Sequence, residues 1–559
     1  MNLKDLVADL TTPRRAPFVA ALVALLASLP GLFTLPPTDR DESRFAEASA
    51  QMLESGDFTN ITFQDEPRYK KPVGVYWLQA ASVKALSTVE RRDIWAYRVP
   101  SVLGAMLAAG ACAWGALAFL KPREATMAGG LMAATMVLST ESNLATTDAA
   151  LCGAITLAMA ALGKLYLAAR DGPPVTRWVR LLFWLGLSAS VLLKGPIGPM
   201  VVAATAIAVS AWDRRARWLL SLGWIWGLII FAGVVLPWAL AITVATDGAF
   251  WGVAVGGDLA PKLFGGQEGH GAPPGYFVAL SPVLLFPTVL LLPAALVEAW
   301  RRRAEPAVRF AICWLVPSWL IFELVPTKLP HYVLPTFGAL AWLMAAALTR
   351  PLDRLERWTG AGLTLAVAVG LAIAGGAAAA LFGDAMSWIW EVLAAITIVA
   401  AALAGAVWML RKRAGLAAGL ACALGIVGHG LLVGGLAPSL TQLWLSQRVA
   451  DGLTHANINP RQGLADGPVT VAGYAEPSLV FALGAQTELG DAQAAADAID
   501  EGRPAVVEQR EEPAFRQALV ADGAGALLAG TVTGLDYSTG HKQVLRLYQP
   551  VPDRSGPQS

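Results

Sequence analysis

The feature that most constrains this chain is a repeated pattern of long apolar segments separated by short loops. Of its 559 residues, 55% are hydrophobic and 15% are charged, and the mean hydropathy is +0.53. Soluble domains carry about 25% charged residues, whereas a membrane-spanning helix needs about 20 predominantly apolar residues. We therefore predict an α-helical polytopic membrane protein.

The apolar segments predict about thirteen membrane-spanning helices. They are 16–35, 99–119, 125–143, 149–168, 181–193, 196–212, 218–245, 276–300, 309–325, 332–349, 360–382, 388–410 and 415–437. The first segment follows Arg14 and Arg15, but no small-residue cleavage site precedes the acidic stretch after it. We therefore interpret it as a retained helix rather than as a signal peptide.

Basic residues are concentrated in the short loops between alternate spans. These residues are Lys121, Arg123, Arg170, Arg177, Arg180, Arg214, Arg215, Arg217, Arg301 to Arg303, Arg350, Arg354, Arg357 and Arg411 to Arg413. By the positive-inside rule these loops are cytoplasmic. The opposite, outer face then receives 36–98, 143–148, 194–196, 246–275 and 327–331, and an odd number of spans places the C-terminal segment there as well.

The pattern predicts two domains. Residues 1–437 form a membrane domain in which 36–98 is a polar first outer loop and 246–275 is a mobile outer loop, while 438–559 form a small α/β domain. In the latter, strands are predicted at Val469–Tyr474, Ala505–Glu508 and Val544–Tyr548 and a helix at Pro513–Ala521. No catalytic constellation is recognisable there.

The first outer loop predicts an amphipathic helix lying on the membrane surface. Phe45, Ala48 and Met52 recur at helical spacing, Asp41 stands at its start and Gly56 supplies a stop. Such a helix would hold charged groups at the lipid–water interface, where they can reach lipid-linked substrates.

Charge and cysteine content exclude several classes of function. The formal net charge of +1 gives no reason to expect a nucleic-acid partner. All four cysteines fall in apolar segments without metal-ligand spacing, which excludes a zinc ribbon or a disulfide framework: Cys112, Cys152, Cys313 and Cys422.

The first outer loop combines acids with a pair of cations. Transfer of a sugar from a lipid phosphate needs an acid or base together with a cation that binds phosphate. Each part has a simpler interpretation: Asp41-Glu42 could begin a helix, and Lys70-Lys71 could be interfacial anchors. For Tyr76-Trp77 an aromatic belt at the membrane surface is favoured over a sugar platform.

Further polar residues lie at the outer ends of spans. Asp148 needs a partner or a purpose unless it is exposed to water, because a carboxylate within a membrane costs about 2.5–3.5 kcal/mol. Lys194 is better placed to meet a lipid phosphate than an acid of its own loop. The 246–275 loop, with Asp258, Lys262, Glu268 and His270, could form a lid. Lys328, His331 and Tyr332 could cap a helix or bind an anion.

The order of these motifs resembles a known bacterial family. The motifs are Asp41-Glu42-x-Arg44-Phe45-Ala46-Glu47, Ser55-Gly56-Asp57, Lys71-Pro72, Tyr76-Trp77, Asp148, Lys194-Gly195, a loop with His270, and Lys328-Leu329-Pro330-x-Tyr332. They resemble the ArnT-like aminoarabinose lipid A transferases of the glycosyltransferase 39 and protein mannosyltransferase group, over about residues 20–345. The span count and the outer C-terminal domain are also similar.

The resemblance implies a GT-C fold and a sugar donor carried on undecaprenyl phosphate. It implies an acceptor at the outer face of the bacterial inner membrane, with lipid A, lipopolysaccharide or another envelope molecule as partner. By motif position, Asp41 is the principal catalytic acid and Asp148 the second. Residues implied to hold the carrier phosphate, or lying on related motifs, are Lys71, Lys262, Tyr332, Lys194 and Lys328, with Glu42, Arg44 and His270 as further candidates.

This chain departs from the family in two places. Where relatives have a glutamate, this chain has Lys70. In the relatives that glutamate is a candidate metal ligand together with a loop histidine. Whether this chain binds a divalent metal, at Asp41 and His270, is therefore left open by the sequence. The aromatic segment after that histidine is short, which indicates that the transferred sugar can differ. The alternatives are a transporter or lipid flippase using Asp148 and Lys194 as intramembrane charges, and a non-catalytic assembly protein.

Overall fold

The computed structural model describes residues 9–261 and 271–551. Two residues implied by the family resemblance, Lys262 and His270, lie outside this range. The described chain consists of a large helical domain and a small C-terminal domain that contains a five-stranded sheet.

The helical domain is formed almost entirely by α-helices. They are α1 Ala16–Leu32, α2 Asp41–Ser55, α3 Gly74–Leu86, α4 Ile94–Ala116, α5 Pro122–Ala134, α6 Met136–Glu141, α7 Asp148–Ala168, α8 Arg177–Lys194, α9 Ile197–Asp213, α10 Trp224–Ala245, α11 Ala249–Trp251, α12 Tyr276–Leu284, α13 Leu292–Arg301, α14 Pro306–Leu324, α15 Phe337–Ala347, α16 Arg354–Phe382, α17 Ala385–Leu410 and α18 Ala414–Leu431. Short 3₁₀ helices include Arg217–Leu222, Thr288–Leu291 and Pro330–Thr336, and a π-helix covers Gly252–Leu259.

Each predicted span falls on one to three helical segments. By length and composition, seven described helices can cross a membrane, and an eighth span results if the pair Tyr276–Leu284 and Thr288–Arg301 is counted once. That pair is bent by 112°. The helices over 125–143 are also separate, because Thr135 has extended backbone between them. The multi-span character is confirmed, while the count of thirteen stays a prediction.

Close packing of α4 against α7 places the start of α7 at the polar end of the domain. A Cβ on Gly104 would lie 2.4 Å from the Cα of Ala150, and one on Gly153 would lie 2.5 Å from the carbonyl oxygen of Gly104. Small residues permit this backbone approach, as is usual between membrane helices. Helix α4 also fixes the turn at 143–148, because the hydroxyl of Ser101 on α4 donates to the Leu144 carbonyl at 2.6 Å.

The first outer loop folds into α2, a hairpin of β1 (Thr62–Phe63) and β2 (Glu66–Pro67), and α3. Helix α2 begins at Asp41 and ends before Gly56, which has a left-handed φ of 73°, as the sequence predicts. The protein covers α2 on several sides, and its placement on the membrane surface stays a prediction. Its buried residues are Glu42, Ser43, Phe45, Ala46, Glu47, Ala48, Ser49, Ala50 and Met52.

The C-terminal domain is a mixed α/β unit, as predicted. Its strands are β3 Thr470–Ala472, β4 Glu488–Gly490, β5 Ala505–Glu508, β6 Ala526–Asp536 and β7 His541–Pro550, in the order β4-β3-β5-β7-β6. Strand β3 is parallel to β4 and β5, whereas β7 is antiparallel to β5 and β6. Its helices are α19 Ala437–Ser439, α20 Leu445–His455, α21 Pro477–Leu483, α22 Ala492–Asp500 and α23 Glu512–Asp522.

The C-terminal domain packs directly on the first outer loop. The backbone N–H of Asp39 donates to the Tyr537 hydroxyl at 2.6 Å, and Arg40 Nη2 donates to the Ser538 carbonyl at 2.9 Å. The Gln64 side chain donates to the carbonyl of Thr487, and the rings of Tyr97 and Phe481 meet edge to face at 5.4 Å. The loop therefore lies between the helical domain and the C-terminal domain.

Candidate active site

A cavity of about 410 Å³ opens where the first outer loop, the 143–148 turn, the end of α8 and the Pro330–Thr336 helix converge. We call the end of the helical domain that carries these segments the polar face. The predicted site residues that line the cavity are Asp41, Glu42, Arg44, Lys71, Asp148, Lys194 and Tyr332. The structure thus brings together side chains separated by as much as 291 positions in the sequence.

Asp41 is exposed at the first residue of α2. It does not serve as the N-cap, because Arg40 occupies that position, and its carboxylate makes no side-chain hydrogen bond or ion pair with the described residues. An acid that is wet, unpaired and directed along a cavity wall can approach a substrate without first breaking a protein contact. This is the freedom that a general base requires.

Glu42, the next residue, is fully engaged within the protein. Its carboxylate pairs with Arg98 at 2.8 Å, with both side chains 0% exposed, and it accepts the backbone N–H of Ala145 at 2.7 Å. The same arginine donates to the carbonyls of Leu35 and Pro36 at 2.6 and 3.0 Å. Glu42 therefore fixes the start of α2 against α1, α4 and the 143–148 turn, and positions Asp41 without facing substrate freely.

Lys71 lines the cavity and is held by an acid from the π-helix. Its Nζ lies 2.7 Å from Asp258 Oδ2, and the two side chains are 19% and 8% exposed. A phosphate entering the cavity would share this ammonium with Asp258. Because Asp258 belongs to the 246–275 segment, the pair connects the first outer loop to that segment.

Asp148 lies at the start of α7 and pairs with Lys194 at the end of α8. The Lys194 Nζ lies 2.5 Å from Asp148 Oδ1, and the side chains are 16% and 10% exposed. The acid that pairs with Lys194 is not in its own loop but at the start of another helix, and contact of Lys194 with a lipid phosphate stays a prediction. Lys194 also lies 5.3 Å from the ring centroid of Tyr332, so this cation and Tyr332 form one wall of the cavity.

His331, for which the sequence left helix capping and anion binding open, joins the same group. Its Nδ1 lies 3.1 Å from Glu141 Oε1 and its Nε2 lies 3.5 Å from Asp148 Oδ1. Burial opposes charging of this ring, but the two carboxylates outweigh burial and raise the pKa of His331. Each ring nitrogen of His331 faces a carboxylate. An imidazole can donate hydrogen bonds from both of its nitrogens only when it is protonated.

Glu141, Asp148 and His331 are also the described residues whose potential metal-ligand atoms lie within 4.8 Å of one another. With Lys194 included, the group has two carboxylates, an ammonium and an imidazolium, so its charges balance without an ion. We interpret it as an ion-pair network, which we call the Asp148 network. The predicted metal at Asp41 and His270 stays a prediction, because His270 lies outside the described residues.

Lys328 is not among the cavity-lining residues. Its buried ammonium donates to the carbonyls of Ala272 and Val325 at 2.8 and 2.7 Å. Of the two alternatives that the sequence left open, this geometry favours capping of the end of α14. A role in holding the carrier phosphate stays a prediction.

Tyr76 differs from its sequence interpretation. It is 0% exposed and packs on Phe45, with ring centroids 5.4 Å apart, so it does not belong to an aromatic belt facing lipid. Trp77 is 38% exposed, and its indole donates to the Phe58 carbonyl at 2.8 Å. Neither ring lines the cavity, which gives no support to a sugar platform.

Sequence reasoning missed two contributors to the cavity wall. Arg68, only 8% exposed, lies with its guanidinium carbon 5.1 Å from the centroid of the Phe45 ring. Asp39 also lines the cavity, and the C-terminal domain surrounds it with Ser478 and Tyr537. Burial raises the pKa of Asp39 to about 7, with a smaller opposing effect from the Ser478 hydroxyl. A Pro-Arg-Tyr triplet in the loop was the only signal for Arg68.

Comparison with known proteins finds similarity to lipid-dependent glycosyltransferases. Residues 18–251 match the family model described as dolichyl-phosphate-mannose-protein mannosyltransferase. The chain is 30% identical over 343 residues to an undecaprenyl phosphate-alpha-4-amino-4-deoxy-L-arabinose arabinosyl transferase of Pseudomonas paraeruginosa, covering 58% of this chain and 59% of that relative. A transferase of the same name from Pectobacterium carotovorum is 32% identical over 378 residues, covering 64% of this chain and 65% of the relative.

The fold comparison extends over nearly the whole chain. The crystal structure of ArnT from Cupriavidus metallidurans bound to undecaprenyl phosphate superposes with a TM-score of 0.77 and 17% identity, covering 97% of this chain and 99% of that one. The predicted fold class and the ArnT-like resemblance are confirmed. In sequence, the alignments span about three fifths of the length of the curated relatives.

Proposed function

We propose that this chain, which is ArnT-like in sequence and fold, is a membrane glycosyltransferase that moves a sugar from an undecaprenyl-phosphate carrier to an acceptor at the polar face. The observation that carries the proposal is the cavity in which an unpaired acid, Asp41, shares a wall with the cations Lys71 and Lys194. That combination suits a reaction in which an anionic phosphate leaves while an acceptor oxygen attacks.

The proposed reaction is a displacement at the anomeric carbon of the carried sugar. The acceptor oxygen forms a bond to that carbon, the bond from the carbon to the carrier phosphate oxygen breaks, and the phosphate keeps the electron pair. Lys71, with Lys262 and Tyr332, is proposed to hold the phosphate as its charge increases. Asp41 takes the proton of a hydroxyl acceptor, or positions an acceptor phosphate that is already ionised.

Asp148 is proposed to assist Asp41, although its carboxylate is less free to contact a substrate. Its carboxylate is committed to Lys194 and lies near His331, so its contribution is to keep the two cations charged and correctly oriented toward the carrier phosphate. Glu42 supports the same site by fixing the start of α2 through Arg98.

We further propose that the sugar is 4-amino-4-deoxy-L-arabinose or a related sugar, and that the acceptor is lipid A or lipopolysaccharide. The names of the relatives support the sugar. The test is mass spectrometry of lipid A and total envelope glycans from cells with the chain, without it, and with Asp41→Asn. Loss of a sugar-sized mass on deletion, restored by the native chain and not by the variant, is expected. Unchanged glycans in all strains would contradict the proposal and favour a transporter.

The proposed location is the bacterial inner membrane, with the cavity and the C-terminal domain in the periplasm. The basic short loops support this orientation through the positive-inside rule. Single cysteines at Val520, which is 82% exposed in the C-terminal domain, and at exposed Arg215 between α9 and α10 would test it. A membrane-impermeant maleimide applied to spheroplasts should label Val520→Cys alone. Labelling of Arg215→Cys alone would reverse the orientation.

A further inference from the structure

Arg68 is a buried cation without a compensating acid. Arg68 is 8% exposed, and no carboxylate of the described residues lies within 4.0 Å of its guanidinium. Its neighbour is the equally buried Tyr76 hydroxyl, which is neutral and supplies no compensating charge. Burying an unpaired charge costs several kcal/mol, so a protein retains such a group where a ligand completes it.

The other buried arginines of the same loop are paired. Arg92 contacts Glu47 and Glu54, each at 2.7 Å, and Arg98 contacts Glu42 at 2.8 Å. The fold therefore supplies acids for buried guanidinium groups where their role is structural. Arg68 differs from both in two respects, since it lines the cavity and has no such acid.

The surroundings of Arg68 define the charge and shape of the missing ligand. The guanidinium lies over the face of Phe45, which holds its plane in a fixed orientation, and Phe45 lies one helical turn beyond Asp41 on α2. A planar guanidinium with free donors is suited to bidentate recognition of a phosphate. Phosphate can come from either substrate of the proposed reaction, the carrier or the acceptor.

We propose that Arg68 is a binding residue for a phosphate group of the acceptor. Arg68 packs on Phe45 of α2, the helix that begins at Asp41, and the acceptor oxygen must reach Asp41. The proposed carrier-phosphate residue Lys71 lies three positions further along the same loop as Arg68 but contacts Asp258 instead. The acceptor class is thus a phosphorylated glycolipid that places its phosphate between Phe45 and the cavity mouth. This inference rests on the proposed function and adds the recognition element for its second substrate.

The test compares Arg68→Gln and Arg68→Lys in the purified full chain, with undecaprenyl-phosphate-linked aminoarabinose as donor. The acceptors are bisphosphorylated lipid A and the same glycolipid after phosphatase treatment. Arg91→Gln is the matched control, because it removes one positive charge from the same loop at a side chain that is 70% exposed. We expect Arg68→Gln to raise the KM for the phosphorylated acceptor at least tenfold, with the KM for the donor changed less than twofold.

Arg68→Lys keeps the charge and loses the bidentate geometry, so it should lie between the wild type and Arg68→Gln. The control should match the wild type. A change confined to the donor KM would overturn the assignment and move Arg68 to the carrier phosphate, and unchanged KM values for both substrates would overturn any phosphate role.

A binding measurement separates this inference from the proposed function. Protection of the wild type against thermal unfolding by bisphosphorylated lipid A, absent with the dephosphorylated glycolipid and with Arg68→Gln, is expected even if no turnover is detected. Equal protection of the wild type and Arg68→Gln would overturn the inference. Absence of transfer by the wild type, with this protection intact, would overturn only the proposed function.

Discussion

The two acids of the cavity differ in how firmly the protein holds them. Asp148 is buried and committed to Lys194 at 2.5 Å, with His331 close to the same oxygen, whereas Asp41 is exposed and has no side-chain partner among the described residues. A carboxylate in the Asp148 network can organise neighbouring cations but is poorly available to accept a proton. A free carboxylate can accept one. The pairing state therefore distinguishes the two acids that the proposed mechanism treats as positioning and reacting, although motif order alone treats them as similar.

The largest expected effect concerns Asp41. Asp41→Asn should lower kcat about 100- to 10,000-fold, the usual contribution of a general acid–base group. Its thermal unfolding should match that of the wild type, because no ion pair is lost. Transfer assays and unfolding scans on the same detergent-purified sample test both statements. A variant that is inactive because it is unfolded would remove the contrast between the two acids.

The next effect concerns stability at Asp148. Asp148→Asn should lower the free energy of unfolding by about 3–5 kcal/mol, because Lys194 and His331 would remain as buried cations without their shared acid. The double variant Asp148→Asn with Lys194→Met should recover part of this loss. Denaturant unfolding of the two variants is the measurement. If Asp148→Asn is as stable as the wild type, then Asp148 is not held more tightly than Asp41.

A smaller effect is expected from the histidine of the Asp148 network. The pKa of His331 is raised above the ordinary histidine value of 6.5. The imidazolium is therefore fully present below pH 6.5, and it is lost only as the pH rises through the raised pKa of the folded protein. Transfer should fall along that limb in the wild type. His331→Gln should lower activity about tenfold, equivalent to roughly 1.4 kcal/mol, and should lack the alkaline limb. A pH profile of kcat that is identical in both proteins would contradict this prediction.

The smallest effect concerns Asp39, which lies two positions before the free acid but belongs to the contact with the C-terminal domain. Its pKa is raised to about 7 by burial, with Glu476 and Asp536 adding to the increase. The neutral form is therefore favoured in the folded protein, and stability is lost as the pH rises from the ordinary carboxyl range through 7. Between pH 6 and 8 the wild type should lose about 1.4 kcal/mol. Asp39→Asn should remove this dependence, as followed by thermal unfolding across that range.

The sequence predicted the helical frame because its signals are local. Apolar length gives the membrane helices, Asp41 and Gly56 delimit α2, a short apolar run gives β5, and alternating apolar residues give β7. Asp148 and Lys194 were recognisable because charged groups at the ends of membrane helices are costly. Their pairing was not recognisable, because the two positions lie 46 residues apart and only the packing of α7 beside α8 brings them together.

The same limit applies to the supporting residues. Glu42 reads as a first-turn acid, but its partner Arg98 follows 56 positions later and Ala145 follows 103 positions later. Tyr76 reads as an interfacial aromatic until the fold buries it against Phe45. Arg68 has no periodic or spacing signal. Its relevance emerges only from the fold, which buries it over Phe45 with no acid of the described residues within ion-pair distance.

The contact between Asp39 and Tyr537 joins residues that are 498 positions apart in the chain, which has a consequence for biosynthesis. The first outer loop leaves the ribosome long before the strand pair that secures it. At about 5–20 residues per second, the loop waits roughly 25–100 s for its partner. During that interval the polar face is incomplete and accessible to proteases and chaperones. A nascent chain therefore acquires its finished polar face only near the end of translation.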